Sequence, residues 1–171
     1  MMSSRSAPEA RAHAGEHPEA AAGGLPPNAA RLGHLVGYAA SRAAIQMKKT
    51  FVKHLGPLQL KVVEFSVLVL VASNARINQK QLGQALDVSA PNLAVILDKL
   101  AERGLIQRVR STEDRREQLI HLTPAGRTLT QRAETIAATM ETEALRVLSD
   151  AERALLIELL MKVARGRASK R

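Results

Sequence analysis

Apolar residues recur at three- and four-residue steps through Leu32, Leu35, Val36, Ala39, Ala43, Ile45, Met47 and Phe51. That spacing lines one face of a helix. With Asn28 as its N-cap, the helix is expected over about 29–54, and Gly56-Pro57 ends it. From Lys61 to Ser73 the pattern loses its polar face, because Val62, Val63, Phe65 and the run from Val67 to Val71 leave little else. A helix that is apolar all round belongs at the centre of a fold. Three short units follow. Asn78 caps a helix over Gln79–Leu86, Asp87-Val88 makes a tight turn, and Ser89 caps a second helix to about Arg103. Pro91 lies in that helix's first turn, where a missing N–H is harmless, and Gly104 stands where a left-handed stop is needed. Leu105–Arg110 and Gln118–Leu122 read as strands around a charged loop, together a β-hairpin with a long tip. Thr123-Pro124 opens another helix, expected to run to about Leu148, and Ser149 caps a last one to about Arg165.

The chain is thus mainly α with a small β-hairpin. A helix, a short turn, a second helix and a basic hairpin make a winged helix-turn-helix, set within a helical dimerisation region. The expected divisions are a disordered tail over 1–27, an N-terminal dimerisation helix over 28–57, the winged helix-turn-helix over 58–123, C-terminal dimerisation helices over 124–165 and a basic tail over 166–171. The first tail is rich in Ala, Gly, Pro and Ser and lacks apolar periodicity. Its His13 and His17 are four apart, a spacing that suits a metal on a helix, but no third ligand accompanies them and the pair reads as incidental.

Charge sharpens the picture. A formal net charge of +9 favours an anionic partner, and its location points to DNA. Between Lys99 and Arg116 stand six basic residues, Lys99, Arg103, Arg108, Arg110, Arg115 and Arg116, against Glu102, Glu113 and Asp114. A helix fits the major groove and reads base edges from its first turns. A hairpin tip with arginines reaches the negative potential of the adjacent minor groove. The chain has no cysteine, which excludes disulfides, Cys-ligated zinc and thiol redox sensing. It has no secretory-type apolar N-terminus, and its longest apolar run, Val67–Ala72, is far too short for a bilayer span. A cytoplasmic protein is expected. No Gly-rich phosphate loop, metal-ligand cluster or nucleophile elbow stands out, so neither a catalytic residue nor a cofactor or metal is assigned.

Four stretches in register carry a more specific likeness. The run Gln79-Lys80-Gln81-Leu82-Gly83-Gln84-Ala85-Leu86-Asp87-Val88-Ser89 resembles the third-helix segment of MarR-family transcription regulators. Leu97-Asp98-Lys99-Leu100-Ala101-Glu102-Arg103-Gly104-Leu105-Ile106 is similar to the family's recognition-helix exit and first wing strand, Asp114-Arg115-Arg116 to its wing signature, and Leu122-Thr123-Pro124-Ala125-Gly126 to the entry into its fifth helix. The resemblance covers about residues 30–165. It implies that Arg115 or Arg116 enters the minor groove, with Asp114 orienting a wing arginine. It places Ser89, Pro91, Asn92, Ala94 and Val95 at the start of the recognition helix. Asn92 is the best base reader, since a carboxamide pairs bidentately with adenine. Ala94 and Val95 stand where the family often has polar residues, which shifts the reading toward thymine methyls, the wing and DNA shape. Lys80 and Gln81 are candidates for phosphate contacts, and Arg108 and Arg110 of the first strand are further candidate DNA-binding residues.

Leu145, Leu148, Leu155, Leu156, Leu159, Leu160 and Val163 exceed what one small helical pair can hide, and the resemblance implies a homodimer built from both ends of the chain. It also implies release from DNA by a small aromatic or phenolic acid, for which His34, Tyr38, Arg42 and Phe65 are candidate pocket residues. The function expected is a regulator, by family default a repressor, that binds a palindromic operator as a homodimer. Two other readings compete with it: a DNA-architectural protein of low sequence specificity, and an enzyme acting on a small aromatic ligand.

Overall fold

A computed structural model describes residues 31–111 and 117–166. The N-terminal tail with His13 and His17, the Asn28 cap, the wing tip with Asp114, Arg115 and Arg116, and the C-terminal Arg167, Lys170 and Arg171 lie outside the described residues. The elements are α1 (Val36–Leu55), a single 3-10 turn (Gly56–Leu58), α2 (Val62–Ser73), α3 (Gln79–Leu86), α4 (Ala90–Glu102), β1 (Ile106–Arg110), β2 (Gln118–Leu122), α5 (Pro124–Met140) and α6 (Asp150–Arg165).

The nearly featureless apolar surface of α2 puts it at the centre, with Val67, Leu68 and Val71 buried. Around it close Phe51 and Leu55 of α1, Leu82 of α3, and Leu93, Leu97 and Leu100 of α4. Burying each such side chain contributes about 1.5–3 kcal/mol. α5 packs against both α1 and α2, and α3 against α4. The strands are antiparallel, with Arg108 opposite Ile120 and Arg110 opposite Gln118. The Ile120 N–H donates to the Ile77 carbonyl (2.9 Å), so the segment before α3 adds a short third rung to the hairpin.

Two helices are shorter than their periodicity predicts. α1 starts at Val36, because Leu35 is extended and brings no side-chain cap. Gly33 and Gly37 further weaken helix formation at that end. α5 stops at Met140 rather than about Leu148. Beyond it the backbone closes three-residue turns, Thr142 N–H to Thr139 O (3.1 Å) and Leu148 N–H to Leu145 O (2.9 Å). Thr139 and Thr142 are β-branched, which disfavours continuing the α ladder there.

The caps are where the residues ask for them. Thr123 Oγ1 accepts from the Gly126 N–H (3.0 Å) and donates to the Gly104 carbonyl (2.6 Å), so α5 begins fastened to the end of α4. Gly104 holds φ +66°, the left-handed stop. Ser149 and Glu152 form a capping box at α6. The Ser149 backbone N–H, and then its hydroxyl, hold the Glu152 carboxyl below its ordinary range. Among the described residues no single helix is long and apolar enough to cross a membrane.

Candidate nucleic-acid interface

α4 has two faces. Leu93, Leu97 and Leu100 are buried, while Pro91, Asn92, Val95, Asp98 and Lys99 are exposed. Val95 stands four residues after Pro91 and three after Asn92, so the three share the outward side, which is the side free to enter a groove. Ala94 is half-buried and stands at the edge of that face. Ser89 is the N-cap with extended backbone, yet its side chain makes no capping hydrogen bond.

α3 braces this helix. Asn78 and Gln81 form a reciprocal capping box: Asn78 Oδ1 accepts from the Gln81 N–H, and Gln81 Oε1 from the Asn78 N–H, each at 3.0 Å. The cap takes up the carbonyl end of Gln81, so only its amide NH2 is left for a phosphate. Gly83 lets the turn close, because a Cβ there would stand 3.1 Å from the Val88 carbonyl oxygen. Lys80, Gln84, Ser89 and Ala90 line a cleft of about 770 Å³ between α3 and the start of α4. Lys80 and Ser89 thus border the same cleft.

The wing is tied to both helices. Arg108 on β1 donates to Asp98 Oδ1 of α4 at 2.7 Å. This pairing makes Arg108 a strut between recognition helix and wing, with its charge compensated. Arg110, two residues on, is exposed on β1 close to the tip. At the tip end of the two strands Asn78 Nδ2 donates to Glu117 Oε1 (2.7 Å), and Arg76 reaches Glu117 Oε2 (3.5 Å) and Ser111 Oγ (3.4 Å). Asn78 therefore caps α3 and anchors the hairpin at once. Arg103, at the exit of α4, pairs with the buried Glu64 of α2 (3.5 Å) and donates to the Leu58 carbonyl (3.4 Å). Asp98, Arg76, Glu117 and the Glu64–Arg103 pair were not foreseen as positioning residues. Their partners lie 10 to 45 residues away, beyond any local spacing rule.

The predicted effector residues do not meet within one protomer. His34 precedes α1 and is exposed, Tyr38 is half-buried in its first turns, and Arg42 is exposed. Phe65 packs instead on Phe51, with ring centroids 5.9 Å apart. Tyr38 and Phe51 are 13 positions apart on one helix, about 20 Å at 1.5 Å per residue.

Residues 60–118 match the family model described as MarR family. A protein of Thauera aromatica named for transcriptional regulation of the hcr operon is 35% identical over 101 residues, 59% of this chain and 61% of that protein. The match thus spans about three fifths of that relative. The HTH-type transcriptional regulator YpoP of Bacillus subtilis (strain 168), itself described as uncharacterized, is 33% identical over 104 residues, 61% of this chain and 74% of that protein. Among solved structures, the transcriptional repressor CouR bound to a 23-mer DNA duplex is 34% identical, with a TM-score of 0.77 over 82% of this chain and all of that one. The same repressor bound to p-coumaroyl-CoA superposes with a TM-score of 0.72 at 34% identity, over 79% of this chain and 95% of that one. With its helix-turn-helix, its hairpin wing and this extent of likeness, the chain belongs to the MarR family.

Proposed function

We infer that this protein is a sequence-specific transcriptional regulator, a repressor that binds a palindromic operator as a homodimer and leaves it when a small aromatic effector binds. The observation that carries the reading is the outward face of α4, Pro91, Asn92 and Val95, held beside a wing that Asp98 and Arg108 strut at 2.7 Å. Two reading elements fixed in one orientation can address a major groove and its neighbouring minor groove together. The likeness to a repressor solved on duplex DNA, and solved again with an aromatic CoA thioester, supports both the DNA and the effector. The protein acts by binding rather than by catalysis, in the cytoplasm where its DNA is.

An unbiased duplex selection at near-physiological salt tests this. A palindrome with half-sites about 10 base pairs apart is the expected result. Binding without an enriched motif that vanishes as salt rises would replace the regulator with an architectural protein. Turnover of an aromatic ligand would point to an enzyme.

Two substitutions separate the parts of the interface. Asn92→Ala should cost about 1–3 kcal/mol at one base position per half-site, read by comparing operator variants; an even loss across all sequences contradicts base reading. Arg115→Ala with Arg116→Ala should weaken binding and lower the salt slope by up to about two units. An unchanged slope removes the wing tip from the mechanism.

A further inference from the structure

One cavity takes no residue from α1, α3 or α4, and none of its lining residues is a predicted DNA-binding or effector residue. Its volume is about 340 Å³, and the end of α2, the strand β2 and the outer side of α5 wall it. Val71 and Leu122, both buried, give it an apolar floor.

Two opposite charges line this cavity without meeting. Arg127 donates from Nη1 to the Leu122 carbonyl (3.1 Å), and among the described residues it has no carboxylate partner. The rest of its guanidinium fork is left to a ligand. Glu134, further along α5, has neither an ion pair nor a side-chain hydrogen bond among the described residues. Helix side chains meet at three or four positions apart. These two are seven apart, which sets them about 10 Å from each other along the axis. The bond to Leu122 holds the guanidinium toward the start of α5, away from Glu134. Gln131 stands between them, and its side chain, like that of His121 on β2, makes no hydrogen bond among the described residues.

We propose that this cavity binds a short zwitterion of the ω-amino acid class. Its carboxylate meets Arg127, its ammonium meets Glu134, and its methylene chain crosses Val71 and Leu122. A charge-assisted hydrogen bond at each end takes up about 2.8 Å, so the ligand itself spans roughly 5 Å or more of the remaining distance. An α-amino acid carries its two charges too close together to reach both side chains. A simple acid or amine satisfies one end only, and a dicarboxylate sets an anion against Glu134. The cavity's volume lies at the small end of the range for ligand sites.

The position gives the ligand a lever. Leu122 and His121 belong to the return strand of the wing, and Ala75, also in the lining, precedes the Arg76 that anchors the hairpin at Glu117. A ligand that binds one wing pose more tightly than another shifts DNA affinity. Only this last consequence rests on the regulator reading; the binding itself is measured without DNA.

Ligand-observed NMR titration of the full chain with 5-aminopentanoate tests the site, with glycine, pentanoate and pentylamine beside it. The amino acid with separated charges should bind once per protomer, and each of the other three at least about tenfold more weakly. Glu134→Gln changes an exposed carboxylate that supports nothing else in the fold. It should keep the melting temperature and lose at least about tenfold in affinity for 5-aminopentanoate. Glu134→Lys should reverse the choice, so that glutarate binds this variant better than 5-aminopentanoate does. The proposal is overturned if 5-aminopentanoate does not bind, if pentanoate or pentylamine binds as well as it does, or if the glutamine variant binds it unchanged. A lysine variant that still prefers 5-aminopentanoate to glutarate also overturns it, since the ammonium then lies elsewhere.

Discussion

Gly126→Ala should destabilise the protein by about 3 kcal/mol or more, among the largest losses open to a single methyl group. Gly126 is buried in the first turn of α5. A Cβ there would overlap the Leu105 carbonyl oxygen and stand 2.9 Å from the carbonyl carbon. Both atoms are backbone, so no side chain can swing aside. The Leu105 oxygen also accepts from the Thr123 N–H at 3.1 Å, which holds the two segments together at this point. Relief would require α5 to lift away from the exit of α4, breaking the Thr123 bonds to Gly104 and Leu105. Chemical denaturation of the two proteins at equal protomer concentration measures the difference. A loss under about 1 kcal/mol would show that α5 slides freely, and that this contact does not set the relation between the DNA-reading half and the helices that follow.

That contact also shows what was legible in the residues. Leu122-Thr123-Pro124-Ala125-Gly126 announces a capped helix start, because a cap is a local event within four residues. The same locality made α3 readable to the residue, with Asn78 before it, and placed the stop at Gly104. The reason Gly126 must be glycine was not legible, since Leu105 lies 21 positions earlier and only the fold brings its carbonyl near. The recognition surface behaved likewise. The outward Asn92 and Val95 follow from helical period, whereas the Asp98–Arg108 strut and the Arg76–Asn78–Glu117 anchor depend on how the hairpin lies across two helices. The effector residues show the cost of reading one helix at a time. Tyr38 and Arg42 share α1 with Phe51, but Phe65 meets that helix far down its length.

Converting Leu156 and Leu160 together to glutamate should leave a monomer whose operator affinity is at least about 100-fold lower. None of the residues of α6 is buried, although Leu155, Leu156, Ile157, Leu159, Leu160, Met161 and Val163 lie within its 16 residues. A helix of that length is marginal alone in water, and an apolar surface of this extent marks a contact still to be made. Leu32, Leu35 and Val36 at the other end of the chain are exposed too. A second copy satisfies both ends at once, because a two-fold axis presents each patch to its counterpart. Leu156 and Leu160 are four apart and so share one stripe of α6, while neither supports the core of its own protomer. Their replacement should therefore spare the melting of the winged unit and remove the pairing alone. With the pairing goes the second half-site, whose effective concentration supplies roughly 10²–10⁴ in affinity. Sedimentation gives the mass and a duplex titration gives the affinity. A variant that stays dimeric places the interface elsewhere; a monomer that binds the operator undiminished shows that one winged helix suffices.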